Sequence, residues 1–478
     1  MTRALSALAL VSTILVAAPA GARQDRLLPG RPSGVARYDK SHAVVALIDT
    51  GINPYSVAFR DTSRWGRMPP WKYIPGYPKG TPALRLSLGL SYEEAIKRDE
   101  KVWAKVQPNK LYWIPGTRIV GAISLGAGGT NCPAVAAPPA NTATAGDCPE
   151  RRILDDFGHG TMTASRAAGS PRSLAPEARI VAIEGLGAGS VEWAAEQGWI
   201  DVQSNSWISL VPPPVPSAVI TAFREAAKKM VVLAGSGNGA GFLGGVAPTP
   251  TQLLSTAPAG VIIVGGHDNG RMTLWSGAPP HVVADAYAGM TAIHDSTERM
   301  RPDPMACCTS AASPYAAGGA AAIVQWARSV LGDESTGIKN GVVARGKLAF
   351  GLRRGPLGDG KFTLEELRDI FLRTAQARPK EYLDDGLVHW AGEPRSPDYT
   401  EFGLGGNPFC GGCTTTPVEW TAIPEDVSAY QLIGYGAINR YSVNRALGVL
   451  LGFEDLPDRS AEDQQYALDQ QLREELYP

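Results

Sequence analysis

The sequence lacks any long apolar run beyond its first residues. After residues 4–18, no segment approaches the roughly 20 apolar residues that a bilayer crossing needs. Residues 316–324 (AAGGAAAIV) are apolar but short and read as a buried helix. It also lacks a charge excess: 45 Lys and Arg stand against 46 Asp and Glu, a net charge of −1, with no basic cluster. A nucleic-acid partner is therefore not expected. Charged residues make up only 19% and hydrophobic residues 44%, which excludes a disordered chain. No Gly-X-Y period, heptad run or internal repeat is present, so fibrous and repeat architectures are out. There is no H-E-x-x-H for a zinc peptidase and no G-x-S-x-G elbow of an α/β-hydrolase esterase. No G-x-G-x-x-G or Walker motif follows a strand, so no nucleotide is implied. Gly358-Asp359-Gly360-Lys361 lacks the repeated acidic positions of a calcium loop. No metal ligands are expected on these grounds.

What is present begins with a targeting segment. Arg3 precedes the apolar residues 4–18, and the small residues Ala18-Pro19-Ala20-Gly21-Ala22 follow. Positive start, short apolar stretch and small-residue cleavage site are the parts of a secretory signal, here residues 1–22, cleaved after Ala20 or Ala22. With the signal removed, no membrane span is expected, and the destination is the secreted space or the cell exterior, bacterial by composition. An exported chain can hold disulfides. Of the six cysteines, Cys132 and Cys148 are the favoured pair, closing a Gly-, Ala- and Pro-rich loop for about 3 kcal/mol. Cys410-Gly411-Gly412-Cys413 reads as a local disulfide rather than a redox or zinc motif.

Residues 23–37 form an extended lead-in. Residues 43–48 (AVVALI) are a continuous apolar run, the pattern of a strand buried on both faces. Residues 118–125, 179–183, 230–233 and 260–264 read as further short strands. Helical patterns lie at residues 92–106, 190–198 and 216–229. Strands alternating with helices predict an α/β fold, a mainly parallel sheet with helices on both faces. The polar, acidic residues 455–477 read as a solvated helix or tail.

Catalytic groups of such sheets sit at carboxyl ends of strands. Asp49 ends the first buried run and is followed by Thr50-Gly51. His159 lies between two glycines in Asp156-Phe157-Gly158-His159-Gly160-Thr161, ahead of small residues suited to a tightly packed helix. Ser310 lies in Cys308-Thr309-Ser310-Ala311-Ala312-Ser313-Pro314, where helix N–H groups would stabilise negative charge. Asn238 follows the strand at 230–233 within Ala234-Gly235-Ser236-Gly237-Asn238-Gly239, where its amide could face an oxyanion. Each piece alone has a bland reading: a turn aspartate, a core histidine, an N-cap serine, a turn asparagine.

Together, and with Ser204-Asn205-Ser206-Trp207, these stretches resemble the subtilase (subtilisin-like) family of serine peptidases, in the family's order Asp, His, Asn, Ser. The helix from Thr363 and Gly434-Tyr435-Gly436-Ala437-Ile438-Asn439 extend the likeness over about residues 40–450. The resemblance implies a subtilisin-like three-layer fold over 38–450, with insertions at about 55–150 and 332–362; the acidic, helix-prone composition of 451–478 makes that stretch a tail beyond it. The resemblance implies Asp49, His159 and Ser310 as a triad, with Asn238 at the oxyanion. It also implies Ser206, Trp207, Ile208, Gly235 and Gly237 as substrate-binding positions. No cofactor is required for that chemistry, and structural calcium is a family option. The implied partner is a peptide or protein substrate.

Three departures from the family pattern stand out. Cys308 replaces the usual Gly two residues before Ser310. Ile208 occupies a usually Gly-rich stretch, which narrows the groove and favours restricted specificity. Asp49 and His159 are 110 residues apart, and the added material carries Trp65, Trp71, Trp103 and Trp113. About 20 residues separate the signal from the first core strand, too few for an inhibitory pro-domain there. The departures leave two rivals: a catalytically silent subtilase-fold protein that binds a peptide or protein, and a non-peptide acyl hydrolase using the same triad.

Overall fold

The computed structural model describes residues 42–125, 153–169, 173–207, 217–237, 257–268, 271–272, 279–286, 290–302, 308–347, 355–377, 430 and 433–477. The signal, the lead-in, Ile208, Asn238 and Cys132, Cys148, Cys410 and Cys413 lie outside these residues.

A nine-stranded sheet forms the centre. Its strands are β1 (Val44–Asp49), β2 (Ile119–Ser124), β3 (Arg179–Glu184), β4 (Val202–Asn205), β5 (Val231–Gly235), β6 (Ile262–Asp268), β7 (Arg271–Met272), β8 (Val282–Asp285) and, late in the chain, Ala437–Ile438. All pairings are parallel except that of β7 on β6. β1 sits in the middle, with β3 and β2 on one side and β4, β5, β6 and β8 on the other. The chain thus reverses direction across the sheet at β1, and crevices form at the carboxyl ends of strands at such points. Every residue of β1 is buried, as its continuous apolar run predicts.

Around the sheet pack α1 (Tyr92–Trp103), α2 (His159–Ala168), α3 (Ala188–Glu196), α4 (Ser217–Lys229), α5 (Cys308–Leu331), α6 (Leu364–Arg373), α7 (Arg440–Leu450) and α8 (Ser460–Leu476). α2 packs on α5, and α3 on α4, as two separate pairs that cover the sheet. Small residues permit the first contact: a Cβ added to Gly318 would meet the Ala167 carbonyl oxygen at 2.5 Å. α6 starts with a capping box in which Thr363 Oγ1 accepts from Glu366 N and the Glu366 carboxylate accepts from Thr363 N.

The segment after residue 55, where it is described, is tied into the molecule, and one sequence expectation changes at the carboxyl end. Tyr55 OH donates to Asp99 on α1 (2.8 Å), Trp103 Nε1 donates to Tyr55 OH (2.9 Å), and Ser87 donates to Asp99 from both N and Oγ (2.6 Å each). The bonds tie α1 to the loop that leaves Asp49, and Trp103 is buried. The carboxyl-terminal segment is helical, but it is not a solvated tail. Asp469 and Arg473 are buried; Asp469 accepts from His281 Nε2 (2.7 Å) and from Arg473 Nε (2.7 Å). Arg473 also donates to the Ala257 carbonyl (2.8 Å), and Gln470 accepts from Gly260 N (2.7 Å). α8 docks through buried charge rather than an apolar stripe, so hydropathy alone reads it as exposed.

Candidate functional site

β1, β4 and β5 lie side by side, and their carboxyl ends carry Asp49, Ser206 and Gly235. Asp49 is buried, and its carboxylate has three neighbours. Thr50 N donates to Oδ1 (2.8 Å), Thr163 Oγ1 donates to Oδ2 (3.1 Å), and His159 Nδ1 faces Oδ1 at 2.7 Å. With a carboxylate as acceptor, that ring nitrogen carries the proton. His159 opens α2, and its side chain is 11% exposed.

Local sequence explains why His159 can approach. Gly158 caps α2 at φ 102°, a left-handed conformation that glycine adopts without steric cost. Gly160 presses on the turn after Asp49: a Cβ there would lie 2.2 Å from the Gly51 carbonyl oxygen.

Ser310 lies in the first turn of α5. Four residues later stands Pro314, inside the helix. Proline has no N–H, so the Ser310 carbonyl loses its usual intrahelical donor. Ser206 Oγ supplies a replacement at 3.1 Å, and Ser310 Oγ in turn donates to the Ser206 carbonyl at 3.3 Å. This reciprocal pair joins the end of β4 to the start of α5. Met162 and Ala311 are buried against each other, and Arg166 Nε donates to the Ala311 carbonyl at 3.3 Å. The helix starts that carry His159 and Ser310 therefore belong to one packed pair. The Gly235–Gly237 turn is held to the same helix, since Gly237 N donates to Thr309 Oγ1 at 3.3 Å.

Trp207 is buried, with its ring 5.7 Å from that of Phe223 on α4. Its side chain packs into the core rather than lying on the surface. Cys308 is buried at φ 75°, a backbone conformation that disfavours side chains. That is a physical reason for glycine at this position and for strain when cysteine occupies it. Among the described residues, no group of three or more His, Cys, Asp or Glu could hold a metal ion. No described helix is long and apolar enough to cross a membrane.

Sequence reasoning missed Asp155. It is fully buried, and its Oδ1 accepts from Thr50 Oγ1 (2.8 Å), Gly158 N (2.7 Å) and Phe157 N (3.2 Å), while Oδ2 accepts from Thr161 N (2.6 Å). A signal existed: a carboxylate three residues before a glycine N-cap, which has no side chain to cap its helix.

The family model for the subtilase family matches residues 40–386. No curated relative matches the chain. Among solved structures, it is similar to a cold adapted subtilisin-like serine proteinase at 17% identity and a TM-score of 0.35. That match covers 62% of this chain and 80% of the other. It is also similar to the epidermin leader peptide processing serine protease of Staphylococcus aureus at 12% identity and a TM-score of 0.40. There the coverage is 86% of this chain and 77% of the other.

Proposed function

The chain belongs to the subtilase family, and on that premise we propose that it is an exported serine endopeptidase that cleaves peptide bonds by acyl-enzyme chemistry with restricted specificity. The observation that carries this reading is the 2.7 Å contact of His159 Nδ1 with Asp49, on a helix start packed beside that of Ser310. In the proposed reaction, the Ser310 hydroxyl leaves the Ser206 carbonyl and gives its proton to His159 Nε2 as Oγ attacks the substrate carbonyl carbon. Asp49 holds the reactive tautomer and stabilises the imidazolium. The carbonyl electron pair moves onto oxygen, where Ser310 N–H and the Asn238 amide donate to it. Its return expels the amine, which takes the proton from His159. Water then repeats the sequence on the ester and frees Ser310.

The signal pattern at residues 1–22 supports export, to the secreted space or the exterior of a bacterial cell. Ile208 supports narrow specificity, and a peptide or protein is the substrate. The chemistry needs no cofactor. An intact Asp49–His159 contact disfavours the silent binder, which has no use for an oriented imidazole.

Peptide and ester substrates separate the remaining readings. The purified mature protein is expected to cleave members of a quenched-fluorescent peptide library, with activity lost in Ser310→Ala. Hydrolysis of nitrophenyl esters alone, with every peptide intact, would reassign it as an acyl hydrolase. Binding of peptides without cleavage of either class would make it a silent binder.

A further inference from the structure

The base and the carboxylate that orients it share one anchor. α2 begins at a glycine cap with no side chain, so its first N–H groups need acceptors from elsewhere. Two side chains provide them. Asp155 takes Phe157 N, Gly158 N and Thr161 N, and Thr50 Oγ1 takes Gly160 N at 2.9 Å. Thr50 Oγ1 also donates to Asp155 Oδ1 at 2.8 Å. The Thr50 backbone N–H donates to Asp49 Oδ1, the same oxygen that faces His159 Nδ1. The path therefore closes on itself: from Asp155 to Thr50, to the Asp49 carboxylate, to the His159 ring, and back through the His159 backbone to Asp155. Asp155 is fully buried, and its own N–H donates to the Ile52 carbonyl at 3.4 Å. Its two oxygens accept four donors, so the carboxylate has few other arrangements open to it.

We propose that Asp155, acting through Thr50, is a positioning residue that fixes the Asp49 carboxylate against the His159 ring. The inference rests on the peptidase reading. Helix capping alone needs an acceptor only at the backbone N–H groups. The bond to Thr50 turns that hydroxyl toward Gly160 N, and it also ties Asp155 to the residue whose own N–H is bonded to Asp49. Misplacement of catalytic groups by about 1 Å can cost 10²-fold, and losses of supporting hydrogen-bond partners elsewhere run to about 10–100-fold.

The variants separate by chemistry. Asp155→Asn keeps one acceptor oxygen but turns an NH₂ toward a backbone N–H. Asp155→Ala removes both acceptors. Thr50→Val removes the hydroxyl bridge and the acceptor of Gly160 N but leaves the bonds of Asp155 to Gly158 and Thr161, whereas Thr50→Ser keeps the bridge and that acceptor, so thermal unfolding separates lost capping from lost positioning. Each is measured on the full mature chain beside wild type, with kcat expressed per site titrated by a fluorophosphonate, and with thermal unfolding in parallel. The expected result is a fall in kcat per titrated site of about 10-fold for Asp155→Asn and about 10²-fold for Asp155→Ala and Thr50→Val. KM stays near wild type, the acid limb of the kcat pH profile shifts, and Thr50→Ser regains most of the loss. Wild-type kcat per titrated site in the folded variants, with only lower melting temperatures, would overturn the inference and leave Asp155 a helix cap. If Asp155→Ala fails to fold, the Thr50→Val and Thr50→Ser pair decides alone. A wild type that neither labels nor hydrolyses would overturn the peptidase reading and this inference with it.

Discussion

Among the described residues, two His–Asp contacts have identical length, and they lie in opposite surroundings. His159 Nδ1 and Asp49 are 2.7 Å apart; so are His281 Nε2 and Asp469. The His159 side chain is 11% exposed, and it stands at the start of a helix on the carboxyl edge of the sheet. The His281 side chain is 0% exposed, and both its nitrogens are engaged: Nδ1 accepts from Ile263 N at 3.1 Å while Nε2 meets Asp469. Asp469 is shared with the buried Arg473, which neutralises it. Burial pushes the His281 imidazole below its ordinary value, although Asp469 opposes this. Burial would raise the Asp469 carboxyl, but His281 and Arg473 hold it well below the usual carboxylate range. The second pair is therefore a neutral imidazole bonded to an ionised carboxylate, a fastener for α8. Length alone does not distinguish the two pairs; the first imidazole is partly exposed, whereas the second is fully buried with both nitrogens engaged.

Substitution of each aspartate separates the two roles most sharply. Asp49→Asn is expected to lower kcat by about 10⁴-fold, because an amide no longer holds the reactive tautomer; melting temperature and kcat together check this. Asp469→Ala leaves Arg473 buried without its carboxylate. It is expected to lower stability by about 3–5 kcal/mol in chemical denaturation, with kcat per titrated site unchanged. Asn238→Ala, which removes the proposed oxyanion donor, is expected to lower kcat by about 10²–10³-fold at unchanged stability.

The smallest effect is the pH response. His281 and His42 are both held below their ordinary value of 6.5 by burial, with His42 lowered to about 3. Their unfolded forms bind protons first, so the stability they contribute is full above pH 6.5 and declines as pH falls below it. Asp469 acts in the same direction at lower pH, its contribution fading below its ordinary 3.8. Unfolding free energies at pH 7.5, 5.5 and 4.5 are expected to fall in that order, less steeply in His281→Gln, whose amide does not titrate. Equal slopes for the two proteins would remove His281 from this account.

The contrast also explains what the sequence made legible. β1, β2, β3, β5 and β6 announce themselves as apolar runs, and Asp49, His159 and Ser310 sit in short motifs with glycine or small residues around them. β4 was hidden because Gln203, Ser204 and Asn205 are buried polar residues within a strand. Asn205 finds the Leu233 carbonyl, and Gln203 finds Asn205, so burial costs less than the composition suggests. α8 was misread for a related reason. Asp469 and Arg473, four residues apart, look like a surface ion pair, and only the distant His281 shows them to be internal. Pro314 was visible in the sequence as helix punctuation, but its effect on the Ser310 carbonyl needs Ser206 in space.

The central claim is that Ser310 is a nucleophile activated by His159. The most direct test is fluorophosphonate labelling of the purified mature protein at neutral pH, with the modified residue mapped by mass spectrometry. The account predicts a single adduct on Ser310 that is absent from Ser310→Ala, His159→Ala and heat-denatured protein. A folded protein that takes no label, or takes it on another residue, would contradict it.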